Sequence, residues 1–105
     1  MLKLVRDRIP GFMVDKGLRP VYYALNNDDE FSVMLAAKLD EEVAQLKGAR
    51  KFPDILEEAA DVLEVLTSIV TFGGYSLNDL LAAYHQKNHD KGGFENRIVM
   101  EVPDL

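Results

Sequence analysis

Cysteine is absent from the chain, which excludes disulfides, thiolate zinc sites and cysteine nucleophiles. No run of about 18 uncharged apolar residues occurs, because Glu64 interrupts the best candidate, so no membrane-spanning helix is expected. The opening MLKLVRDRIP carries charges at Lys3, Arg6, Asp7 and Arg8 without an apolar centre. It does not read as a secretory signal, and a cytoplasmic protein is expected. There is no GxxxxGK loop, which excludes a P-loop enzyme, and no repeat or low-complexity stretch. Basic residues are in the minority, 12 against 18 acidic ones, for a net charge of −6. Binding to nucleic acid through a basic surface is therefore not expected.

The sharpest absence is local. From Phe52 to Gln86 there is no Lys or Arg, yet Asp54, Glu57, Glu58, Asp61, Glu64 and Asp79 all fall there. Glu57, Glu58, Asp61 and Glu64 are spaced three, four and seven apart, along one face of a helix. Like charges at that spacing repel by roughly 0.2–0.5 kcal/mol per pair. Such a stripe is either dissolved in water or answered by a cation from outside it.

The hydrophobic periodicity predicts an all-α fold. Residues 1–10 read as extended, with Ile9 held out of helix by Pro10. One or two helical turns follow from Pro10 to Lys16, closed by Gly17. The first long helix is expected from about Asp29 to Lys47, with Gly48 as its stop. Phe31, Leu35, Leu39, Val43 and Leu46 form its core stripe, and Glu42 borders that stripe. After a short basic turn, a second long helix is expected from about Pro53 to Phe72, ending at Gly73-Gly74. Its apolar set (Ile55, Leu56, Ala59, Ala60, Val62, Leu63, Leu66, Ile69 and Val70) spans roughly half the circumference, so it needs neighbours on two sides. One is the first helix; the other is expected to be a second subunit. Ser76 and Asp79 form an S-x-x-D capping box for a third helix, about Leu77 to Asn88. Ile98 to Val102 reads as a short terminal strand ended by Pro103. The expected architecture is a helical hairpin plus a third helix in one domain, 1–105, completed to a four-helix-bundle-like core by dimerisation, with short extended termini.

Two segments carry acids at matching spacing. KLDEEVAQL puts Lys38, Glu41, Glu42 and Gln45 on one face, and LEEAADVLE puts Glu58 and Asp61 three apart. Antiparallel packing of the two helices is expected to bring Glu41, Glu42, Glu58 and Asp61 together. An oxygen-rich cluster of this kind suits Mg²⁺ or Mn²⁺, which keep several waters and also accept phosphate oxygens. Lys38 and Arg6 are candidate phosphate ligands, and Lys38 is also placed to answer Glu41 or Glu42 at three and four. His85 and His89 lie four apart without an evident third metal ligand, and Phe12, Tyr22, Tyr23 and Phe31 are core or loop anchors before they are base-stacking residues.

With Glu42-x-x-Gln45 followed by Glu58-x-x-Asp61, the opening KLVRDRIP and the closing KGGFENRIVM, the chain resembles the MazG-like all-α NTP pyrophosphatases. That group includes phosphoribosyl-ATP pyrophosphohydrolase and dimeric dUTPase relatives. The resemblance implies Mg²⁺-dependent hydrolysis of a nucleoside triphosphate between the α and β phosphates. It points to Glu42, Gln45, Glu58 and Asp61 as metal ligands; a carboxylate not used as a ligand can position or deprotonate the attacking water, and Glu41 is the candidate for that role. It also places Lys87, Asn88 and Lys91, beside Gly92-Gly93, near phosphate and sugar contacts. Gln45 departs from the family's E-x-x-E: an amide oxygen can ligate a metal but brings no charge and cannot act as a base. The alternatives are the phosphoribosyl-ATP reaction of histidine biosynthesis and a non-catalytic nucleotide- or metal-binding helical dimer.

Overall fold

A computed structural model describes residues 1–103; the single domain expected over 1–105 runs on into residues 104–105, outside the described ones. The described chain is all-helical, with α1 at Ile9–Asp15, α2 at Asp28–Gly48, α3 at Phe52–Phe72 and α4 at Leu77–Lys91. α2 packs on α3, and α3 on α4; α2 and α4 do not touch. No described helix is long and apolar enough to cross a membrane.

Each helix begins and ends for a local reason. The Asn27 side chain accepts a hydrogen bond from the Glu30 amide and starts α2, with Asp28, Asp29 and Glu30 in the first turn, where the helix dipole favours acids. Ser76 and Asp79 close a reciprocal capping box on α4. α3 stops at Gly73-Gly74: the amide of Tyr75 donates to the Val70 carbonyl at 2.9 Å and that of Gly74 to Thr71 at 3.0 Å. This double closure needs a left-handed residue, which Gly74 supplies at φ +91°.

Four local expectations are corrected. Ile9 is the first residue of α1, because a proline in the first helical turn lacks only an amide that would go unbonded there. Gly48 is the last residue of α2 rather than its stop; the cap is Ala49 in extended backbone. α4 continues to Lys91 and halts at Gly92. Residues 98–102 form no strand, since no described strand offers them a partner.

α2 and α3 form an antiparallel hairpin about the turn at 49–51. Positions equidistant from Arg50 meet across it: Leu35 and Val65, fifteen residues to either side, are its two buried apolar side chains. Phe31 and Phe72 close the far end edge-to-face, 5.4 Å between ring centroids. Val65 lies outside the apolar set read for this helix, yet it is buried, because Ile55, Val62, Val65 and Ile69 form the row that faces α2.

Candidate functional site

The same symmetry about Arg50 brings Glu42 and Glu58, eight residues to either side, face to face. Asp61 lies one turn further along α3. One carboxylate oxygen each from Glu42, Glu58 and Asp61 lies within 4.8 Å of the others. Glu42 is buried, with 6% of its surface exposed, and Glu58 and Asp61 are half-buried. Burying a carboxylate is costly unless it is paired, and Glu42 is paired: Lys38 Nζ stands 3.0 Å from its Oε1.

Glu41 does not join the other three. One residue from Glu42 on a helix is 100° of rotation, so its side chain leaves on the flank. There it accepts from Lys3 Nζ at 3.0 Å and Lys38 Nζ at 3.4 Å. The hydrogen bond from Lys3, opposed by partial desolvation and aided by the charge of Lys38, holds the Glu41 carboxyl below its ordinary value. Glu58 is moved the other way. Desolvation, then the neighbouring charges of Asp61, Glu42, Glu57 and Asp54, push its carboxyl up.

The cation that answers the acidic stripe comes from the chain itself. Arg6 Nη2 reaches Asp61 Oδ1 at 2.8 Å, so the N-terminal segment crosses the rim of the cluster. Arg6 pairs with Asp61 rather than with its neighbour Asp7. Nothing in the sequence marks Lys3 as a site residue, since it lies in a segment without periodicity. The Gln45 amide lies between Glu58 and Glu42: with its nitrogen turned to the acids it donates to Glu58 Oε2 at 3.1 Å and to Glu42 Oε2 at 3.2 Å, and with its oxygen turned to them it forms no hydrogen bond there. The four carboxylates thus face three cations and one amide, which leaves about one negative charge in excess.

Lys87, Asn88 and Lys91 are exposed on the outer half of α4, and their side chains form no hydrogen bond or ion pair with any residue of the cluster. Tyr84 and His85 pack edge-to-face on the same helix, without a metal-binding group around His85 or His89 among the described residues.

The donor set fits a hard divalent ion. Two oxygens bound to one Mg²⁺ at 2.0–2.1 Å lie at most about 4 Å apart, close to the spacing of these three. Ligation by Gln45 requires its amide oxygen, rather than its nitrogen, to face the acids.

Comparison with known proteins yields a relative without a role. An uncharacterized protein of Mycolicibacterium smegmatis is 53% identical over 49 residues, which is 47% of this chain and 49% of that protein. The chain thus matches about half the length of that relative. No family model matches the chain. No solved structure matches it either.

Proposed function

We propose that the chain is a Mg²⁺-dependent nucleoside triphosphate pyrophosphohydrolase, releasing a nucleoside monophosphate and pyrophosphate, and that it works as a cytoplasmic homodimer or higher homo-oligomer. The observation that carries this reading is the convergence of Glu42, Glu58 and Asp61 oxygens within 4.8 Å from two different helices. The family resemblance of the two motifs and both chain ends supports it.

In this reading Glu42, Glu58 and Asp61 hold the ion, with the Gln45 amide oxygen as a fourth ligand; Mn²⁺ serves in place of Mg²⁺. When bound, the ion supplies charge to offset the polyphosphate and acidity to a coordinated water. Glu41, kept as a carboxylate by its lysines, orients the attacking water. Arg6, Lys3 and Lys38 ring the acids, and displacing them from carboxylates frees them for phosphate oxygens. Lys87, Asn88 and Lys91 enter as substrate contacts through the resemblance alone. The test is a screen of ribo- and deoxyribonucleoside triphosphates, with phosphoribosyl-ATP included, for pyrophosphate release in Mg²⁺. Turnover that Glu58→Gln abolishes supports the reading, and the preferred substrate separates nucleotide-pool cleaning from the histidine-pathway step. No release from any triphosphate sinks it.

A second reading, a non-catalytic nucleotide- or metal-binding helical dimer, is favoured by one observation. The Gln45 amide sits between Glu42 and Glu58, where its nitrogen, turned inward, donates to both, a neutral role that a glutamate at that position would not fill. Binding without turnover, and turnover restored by Gln45→Glu, is the outcome it expects.

A further inference from the structure

The protomer exposes far more surface than a finished domain of its size. Its accessible area is 9533 Å², against about 5,900 Å² for a folded monomer of 11.8 kDa. Its radius of gyration is 17.6 Å, against about 13 Å for a compact chain of this length. The terminal segments account for part of the excess, but α3 and α4 also carry apolar side chains into solvent. A standard interface removes about 800 Å² per partner, well within the surplus.

On α3 the exposed apolar residues are ordered. Phe52, Leu56, Ala59, Leu63 and Leu66, all exposed, and the half-buried Val70 step by four, three, four, three and four, the spacing of a helix–helix seam. The seam lies about 100° around α3 from the row that packs on α2. Phe52 is 84% exposed, Leu56 73% and Leu63 43%, so the seam from Phe52 to Leu63 has no partner within the protomer. The spacing also reads the same in both directions. About position 61, 59 matches 63, 56 matches 66 and 52 matches 70.

We propose that this seam is the contact between two copies of the chain, laid antiparallel about a two-fold axis level with position 61. Each Ala59 then faces the second copy's Leu63, small against large, as interdigitating layers require. Phe52 of one copy comes level with Val70 of the other. Val70 lines a largely apolar cavity of about 300 Å³ between α3 and α4, with Tyr75, Leu80, Ala83 and, at its edge, the capping Asp79, and an unplaced aromatic ring is the occupant such a cavity suits. Asp61 projects about 180° from the middle of the seam, so the pairing leaves the carboxylate cluster open. The proposal specifies the oligomer invoked above and stands without the catalytic part of that reading.

Light scattering on the wild-type chain at micromolar concentration is expected to give twice the mass of the chain. Leu63→Glu is expected to give the single-chain mass with its helical circular dichroism retained, because Leu63 lies off the face that packs on α2. The chain has no cysteine, so disulfide trapping is clean. Ala59→Cys/Leu63→Cys should oxidise to a covalent dimer. Phe52→Cys should not, since its two copies would lie about 27 Å apart along the seam. A monomeric wild type, an undiminished Leu63→Glu dimer, or self-linking of Phe52→Cys, as a parallel seam would give, overturns the proposal. These readouts are independent of pyrophosphate release: a dimer that hydrolyses nothing sinks only the catalytic reading, and a monomer that hydrolyses sinks only the seam.

Discussion

Arg6 donates to Asp61 across fifty-five positions of sequence, at 2.8 Å, and so occupies a carboxylate that a divalent ion would also use. Arg6→Ala is expected to tighten Mg²⁺ binding several-fold, because the ion no longer competes with a guanidinium. The pair is more than one-third exposed on both sides, so its loss costs stability at most about 0.5 kcal/mol. Titration calorimetry with MgCl₂ alone decides the matter; an unchanged affinity would mean that Asp61 is not a ligand.

Glu58→Gln is expected to separate metal binding from stability. Among like charges, Glu58 opposes folding whenever it is ionised. Its folded-state value lies above the unfolded one, so the native state binds more protons between the two and stability falls as pH rises through that window. The metal-free variant should therefore melt higher than wild type at pH 7, and the advantage should shrink as the pH is lowered through the raised carboxyl value. Added Mg²⁺ should raise the melting temperature of wild type and leave the variant's unchanged, since only a ligand of the native state stabilises it. Thermal scans at two pH values, with and without MgCl₂, test both halves; a variant that melts no higher at pH 7 refutes the first.

Gln45→Glu replaces a neutral amide beside Glu42 and Glu58 with a third acid. The metal-free protein should lose stability, and Mg²⁺ affinity should rise by an order of magnitude or so, the scale on which a ligand's charge and its immediate partners act. Denaturant melts at zero and millimolar Mg²⁺ check this. A variant less stable in both conditions would show that the cluster does not gather around an ion.

Ser76→Ala removes half of the reciprocal cap on α4. The expected cost is about 1 kcal/mol, read as a lower urea midpoint. Since α4 does not touch α2, Mg²⁺ affinity should be unaffected, and a loss of affinity would place α4 in the site.

What was legible in the sequence follows from what is local. The helices, the Ser76 start and the Gly73-Gly74 stop are set by neighbours within a turn or two, and the hairpin follows from two apolar rows joined by a short turn. The convergence of Glu42, Glu58 and Asp61 was legible for the same reason, as their spacing along each helix fixes their level across the pair. Glu41 was misplaced because adjacent residues of a helix point 100° apart, and two neighbouring glutamates cannot both face one point. Lys3, and the pairing of Arg6 with Asp61, were obscure because the partners lie far along the chain and no periodicity orients these residues. The strand read at 98–102 rested on a local apolar run before Pro103, and a strand exists only where another pairs with it.

Since α2 and α4 each lean on α3 and never on one another, the described helices make a chain of dependence rather than a ring. Backbone amides should exchange with deuterium most slowly in the middle of α3, where every cooperative opening must pass. α4 can detach near Val70 and Leu80 as its own small unit, while the α2–α3 hairpin stays closed around its acids.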